Sequence, residues 1–98
     1  MNELNKDQAA ILQILQEECA EVIQATSKVF RFGLFDTHPD TPSKTNTSHL
    51  EEELGDVMAM IELLDSHKII SYSNVTQFKQ RKFEKLRTWS KINVDYKG

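Results

Sequence analysis

The period of the apolar residues is the feature that most restricts how this chain can fold. Between positions 6 and 30, apolar side chains recur three and four residues apart and fall on one side of a helical wheel. Such a stripe is buried when the helix packs against another element. The stripe consists of Ile11, Leu12, Ile14, Leu15, Val22, Ile23 and Val29. We therefore expect an all-α protein, folded as a compact helical bundle.

Capping patterns and breaks in the period divide the chain into three predicted helices and one loop. Asn5 with Gln8 suits the start of the first helix, and Gly33 suits its end. Ser48 and Glu51 have the spacing of a capping box that opens the second helix. The predicted segments are a helix over 6–30, a loop over 33–47, a helix over 48–67 and a helix over 74–90.

The size of the chain and its apolar runs limit its class. Its 98 residues allow one domain, so 1–98 is predicted to be a single unit. A chain this short buries a modest fraction of its surface, and association into a dimer or larger assembly would supplement its core. The lone Cys19 suits a reducing compartment and is predicted to be a small core residue. With no membrane-spanning run and no signal peptide, the predicted location is cytoplasmic.

Charge is distributed unevenly along the chain. The net charge of −3 argues against a general nucleic-acid binder. Residues 1–65 carry thirteen Asp and Glu against four Lys and Arg, whereas residues 79–91 carry six Lys and Arg against Glu84 alone. The acidic part could attract metal ions, and the basic third helix could attract an anionic ligand.

Two pairs of carboxylates with three-residue spacing interrupt the apolar stripes. Glu18 projects into the stripe of the first helix, and Glu21 lies at its edge. Glu53 and Asp56 project into the apolar face of the second helix, whereas the neighbouring acids stay on its polar side. Burying a carboxylate costs several kcal/mol unless something pairs with it. These acids therefore indicate a cation.

The type of ligand indicates which cation. If the two helices pack antiparallel, the four carboxylates converge, because residues three apart are neighbours on a helix surface. Oxygen ligands without sulfur or imidazole favour Mg²⁺, with Mn²⁺ as an alternative. Mg²⁺ held in this way takes its other ligands from water and substrate phosphates, which favours metal-assisted hydrolysis of a phosphoanhydride. Buried structural ion pairs are the rival interpretation.

Several other residues have two interpretations each. Lys82 projects into the apolar stripe of the third helix, with Lys79 close by, either as a packed stem with a solvated amine or as a phosphate ligand. Trp89 and Phe32 could each pack or stack on a base, and Trp89 is predicted to be a core residue. The histidines share no ligand spacing and are predicted to be surface or capping residues; they are His38, His49 and His67.

Two motifs of the chain resemble a known family. The motifs are Glu17-Glu18-Cys19-Ala20-Glu21 and Glu52-Glu53-Leu54-Gly55-Asp56. They resemble the E-E-x-x-E and E-L-x-D motifs of the MazG-like all-α nucleoside triphosphate pyrophosphohydrolases, in the same order and helical context. Residues 28–34 are also similar to a segment of small, often phage-encoded members, and the third helix resembles the family's lysine-bearing helix.

The resemblance implies a function and an assembly. The implied reaction is hydrolysis of an NTP or dNTP between the α- and β-phosphates, with Mg²⁺, to the monophosphate and pyrophosphate. The implied protomer is α-helical and forms a homodimer or homotetramer, with active sites completed by oligomerisation. For a phage-encoded member the location would be the host cytoplasm. Rival functions are a non-catalytic module that binds nucleotide and metal, a phosphoribosyl-ATP pyrophosphohydrolase and a dUTP pyrophosphohydrolase.

The resemblance also implies roles for individual residues. The expected metal ligands are Glu18, Glu21, Glu53 and Asp56. The expected catalytic residues are Glu18 and Glu17, the latter to orient or deprotonate the attacking water. The residues expected to contact phosphates are Lys79, Lys82, Lys85 and Arg31.

Overall fold

Residues 3–98 are described by a computed structural model and are mostly helical. Within this range the elements are α1 (Lys6–Phe32), β1 (Thr37–His38), β2 (Thr41–Thr45), α2 (Asn46–Ser66) and α3 (Tyr72–Trp89). The strands pair antiparallel as a small hairpin between α1 and α2. None of these helices has the length and apolar character needed to cross a membrane. The all-α prediction is confirmed, with the hairpin as an addition.

Helices α1 and α2 pack in opposite directions and hold the core of the chain. Near the start of α1, the Gln8 side chain donates a hydrogen bond to the backbone carbonyl of His67, just after α2, at 2.9 Å. At the other end, the backbone N–H of Thr47 donates to the carbonyl of Leu34 at 2.9 Å. The core residues are Ile11, Met60 and Leu64, with Leu12, Leu15, Ile69 and Ile70 packed against them. This arrangement places the two acidic motifs opposite each other.

The starts of the first two helices test the predicted caps. Asn5 and Gln8 form the predicted capping box of α1. The predicted capping box at Ser48 is wrong, because α2 begins two residues earlier, at Asn46. Thr45 is the N-cap, and its hydroxyl accepts a hydrogen bond from the backbone N–H of Ser48 at 3.1 Å. Strand β2 ends at Thr45, so α2 begins directly after the hairpin and earlier than the Ser48–Glu51 capping box predicted.

The segment predicted as a loop, 33–47, contains the hairpin. Gly33 ends α1 with a φ of 92°, a conformation that glycine adopts without steric cost. Asn46 then holds the segment at two points: its side-chain amide donates to the carbonyl of Gly33 at 2.9 Å, and its backbone N–H donates to the carbonyl of Asp36 at 3.0 Å. Strands of two and five residues show no alternating pattern in the sequence, so the prediction missed them.

Helix α3 leaves most of its apolar residues exposed. Its start is anchored by the backbone N–H of Tyr72, which donates to Asp65 Oδ1 at 2.9 Å. Trp89 is 84% exposed and Phe78 is 60% exposed, so the prediction that Trp89 is a core residue is wrong for the single chain. Cys19, also predicted as core, is exposed. The radius of gyration is 16.7 Å, compared with about 13 Å for a compact globule of this length.

Candidate metal centre

Three acidic side chains meet where α1 faces α2. Glu18 from α1 and Glu53 and Asp56 from α2 each offer a carboxylate oxygen, and these oxygens lie within 4.8 Å of one another. Glu53 and Asp56 share a face because they are three residues apart on one helix. We call Glu18, Glu53 and Asp56 the acidic cluster. It contains three of the four side chains predicted as metal ligands.

Burial differs among the members of the acidic cluster. Glu53 is 7% exposed and lies on the same helix as the core residue Met60. Glu18 is partly buried, and Asp56 is exposed. A buried carboxylate needs a charged or hydrogen-bonding partner. The cluster is therefore anchored on one side in the core and open to solvent on the other.

Within the chain, the partner of Glu53 is a histidine that the sequence prediction missed. His49 Nε2 lies 3.1 Å from Glu53 Oε1, and both side chains are shielded from solvent. His49 was predicted to be a surface or capping residue. The signal that could have found it is its spacing of four residues from Glu53, which places the two side chains one helical turn apart. His49 fixes the orientation of the most buried carboxylate of the cluster.

The carboxylates of the cluster repel one another. Burial and then the negative charges of Asp56 and Glu53 raise the pKa of the Glu18 carboxyl above its usual value of 4.5. Contact with Asp56 and the charge of Glu21 act in the same direction. A raised pKa means that a negative charge on Glu18 is disfavoured in this environment. A cation at the cluster would remove that penalty.

The other two acidic residues predicted for the site, Glu17 and Glu21, are not members of the acidic cluster. Glu21 is exposed and is outside the group of three, although its charge acts on Glu18. Glu17 is exposed, and within residues 3–98 it takes part in no hydrogen bond or ion pair between side chains.

The predicted phosphate contacts lie elsewhere on the chain. Lys79, Lys82 and Lys85 are exposed on α3, and in the described part of the chain none of them forms an ion pair with the cluster. Arg31 is exposed at the end of α1, and its guanidinium lies 4.9 Å from the centre of the Phe32 ring. The single chain thus brings together the acidic residues and leaves the basic residues apart from them.

The donor set fits a hard divalent cation. All three side chains of the acidic cluster are carboxylates, which suit Mg²⁺ and Mn²⁺, and sulfur donors are not part of the group. One buried and two more accessible carboxylates leave the solvent side open for water or a phosphate oxygen. This is the arrangement expected of Mg²⁺ sites that bind substrate phosphates.

Comparison with known proteins identifies the family. A family model described as the MazG nucleotide pyrophosphohydrolase domain matches residues 6–88. The match covers most of the chain and includes both acidic motifs, so the protein belongs to this family. None of the curated proteins and none of the solved structures matches the chain significantly. Family membership indicates nucleotide pyrophosphohydrolase activity in general terms.

The raised pKa of Glu18 predicts how stability depends on pH in the metal-free protein. Above pH 4.5 the folded state binds more protons at Glu18 than the unfolded state does, so the free energy of unfolding falls as pH rises through the folded pKa. Glu18→Gln cannot lose a proton and should show a smaller fall. Urea unfolding in EDTA from pH 4.5 to neutral pH measures this difference.

The control for this experiment is Glu17→Gln, an exposed neighbour on the same helix. It should keep the pH dependence of the unmodified protein. An equal pH dependence in Glu18→Gln and in the unmodified protein would show that Glu18 does not carry the electrostatic penalty.

Proposed function

We propose that this protein hydrolyses a nucleoside or deoxynucleoside triphosphate to the monophosphate and pyrophosphate, by attack of water at the α-phosphate with Mg²⁺ as cofactor. The observation that carries the proposal is the acidic cluster, three carboxylates from two helices within 4.8 Å, in a chain of the MazG family. A carboxylate cluster that holds Mg²⁺ suits such a reaction, because the metal ion neutralises the negative charge on the phosphate oxygens.

The residues of the cluster have separate parts in this proposal. Glu53, buried and oriented by His49, provides the fixed ligand, while Glu18 and Asp56 complete the binding site from the solvent side. Glu21 is proposed as a fourth ligand. When bound, Mg²⁺ supplies charge neutralisation on the phosphates and lowers the pKa of a coordinated water.

The water that attacks needs a base or an orienting acceptor. Glu17 is proposed for this role because it lies beside Glu18 in the sequence and has no side-chain partner in residues 3–98. Glu18 is the second candidate, because it belongs to the acidic cluster at which the substrate phosphates would bind. Either residue would accept a proton from the water molecule as the water oxygen approaches the α-phosphorus.

Substitution of the cluster tests the function. Glu53→Gln and Asp56→Asn should each lower kcat at least about 100-fold, because each removes a ligand charge from the site. The matched control is Glu51→Gln, an exposed acid on the same helix outside the cluster, which should retain full activity. The assay incubates each NTP and dNTP with protein and Mg²⁺ and resolves monophosphate from pyrophosphate.

Two results would contradict the proposal. Folded, unmodified protein that releases no pyrophosphate from any triphosphate would show that the protein is not this enzyme. Nucleotide binding without product would then favour the non-catalytic module. Activity of Glu53→Gln equal to that of Glu51→Gln would show that the cluster is not the catalytic site.

We also propose that the site is completed in a homodimer or homotetramer. Large apolar side chains are exposed on both helices of the core pair: Ile23 on α1 is 69% exposed and Met58 on α2 is 68% exposed. Exposed apolar surface of this extent is typical of interaction sites. The single chain leaves its basic residues apart from the cluster. An adjacent protomer could supply basic side chains to the phosphates, from among Lys79, Lys82, Lys85 and Arg31.

The oligomer proposal predicts that the protein in solution has the mass of a dimer or tetramer, and that a charge in the interface lowers this mass. Sedimentation equilibrium should give a dimer or tetramer for the unmodified protein. Ile23→Asp should shift it toward the monomer and lower its activity, since a charge would be buried in the interface. Gln24→Asp adds the same charge at the neighbouring exposed position and is the control. A monomeric, active protein would contradict the proposal.

A further inference from the structure

A cavity adjoins the metal centre at the end where α1 meets the hairpin and α2. Its volume is about 360 Å³, and it is lined by residues from the last turns of α1, from both strands and from the first turn of α2. Pockets for small molecules and cofactors begin at about 300 Å³. The cavity is therefore large enough for part of a nucleotide.

One residue joins the cavity to the acidic cluster. His49 lines the cavity and also lies 3.1 Å from the Glu53 carboxylate. Because His49 and Glu53 are four residues apart on α2, about 6 Å along its axis, the cavity lies about one helical turn from the cluster. A ligand with phosphates at the cluster could extend its other end into the cavity.

The lining of the cavity consists mostly of polar side chains, with Phe32 as its one aromatic residue and few unbalanced charges. Phe32 contributes an aromatic ring that is 53% exposed. Lys44 lines the cavity but pairs with Glu52, so its charge is already balanced. The remaining formal charges of Lys28 and Asp36 are opposite in sign. A polyanionic triphosphate tail would find little net positive charge here.

From this lining we propose that the cavity receives the nucleoside part of the nucleotide, the base with its sugar, while the phosphates reach the acidic cluster. The Phe32 ring provides the stacking surface for the base, and the Arg31 guanidinium, 4.9 Å from the ring centre, holds the ring in place. This inference rests on the proposed function, since it assigns the nucleoside subsite of the same enzyme.

Binding measured without turnover tests this assignment. The probes are α,β-methylene analogues of the NTPs and dNTPs, which cannot be cleaved at the α–β position, and inorganic tripolyphosphate, which lacks a nucleoside; both are titrated with Mg²⁺ by calorimetry. Phe32→Ala should weaken binding of the analogue about tenfold or more, the usual effect of losing a base-stacking aromatic. It should change binding of tripolyphosphate less than about twofold, since that probe cannot stack.

Two further variants control for folding and for position. Phe35→Ala removes an equally large aromatic ring that is 77% exposed and does not line the cavity, and it should leave both affinities unchanged. Phe32→Leu keeps the apolar volume and loses the stacking face, so it should also weaken the analogue selectively. Circular dichroism verifies that each variant is folded. If Phe32→Ala does not fold, the affinities of Phe32→Leu test the nucleoside subsite instead.

The possible outcomes separate this inference from the proposed function. Equal analogue affinities in the folded Phe32 variants and in Phe35→Ala would overturn the nucleoside subsite, whatever the enzyme hydrolyses. An equal loss of tripolyphosphate binding would overturn it too, because the cavity would then hold phosphates. Selective loss of analogue binding would support the subsite even in a protein that releases no pyrophosphate, a result that contradicts only the proposed activity. No binding of any analogue overturns both.

Discussion

The antiparallel packing of α1 on α2 buries the Glu53 carboxylate, and the arrangement of the site depends on this burial. The same contact that forms the core around Met60 and Leu64 places Glu53 at 7% exposure, where a lone charge is costly. His49 offsets part of that cost from the same helix. Glu18 arrives from the opposite helix and adds a second charge within reach. The fold thus brings three carboxylates together around one that is buried.

We expect such a cluster to lower the stability of the metal-free protein and to raise its affinity for a cation. The repulsion that raises the pKa of Glu18 is removed when a divalent ion is shared among the carboxylates. The single chain has a second unfavourable feature, the solvent-exposed apolar side chains of α1, α2 and α3. We interpret both features as binding surfaces, one for a hard cation with its phosphate ligand and one for another protomer.

Sequence reasoning predicted the parts of this structure that depend on local spacing. The capping box of α1 and the shared face of Glu53 and Asp56 follow from positions three residues apart on helices, and Glu18 joins them as predicted, whereas Glu21 stays outside the cluster. The hairpin was missed because Asn46 holds it through contacts with Gly33 and Asp36, which no local pattern reveals. His49 was missed because the histidines share no ligand spacing with one another, and its partner is a carboxylate one helical turn away. Trp89 was misplaced because an apolar stripe shows that a helix packs without showing its partner.

Binding of Mn²⁺ at neutral pH, followed by the loss of the electron paramagnetic resonance signal of the free ion, tests the cation site most directly. Mn²⁺ is a suitable probe because it accepts the same carboxylate ligands as Mg²⁺. We expect saturable binding to the unmodified protein and to Glu51→Gln, and at least about tenfold weaker binding to Glu53→Gln. Equal binding by the two variants, or no saturable binding by the folded unmodified protein, would contradict the assignment of Glu18, Glu53 and Asp56 as a metal centre.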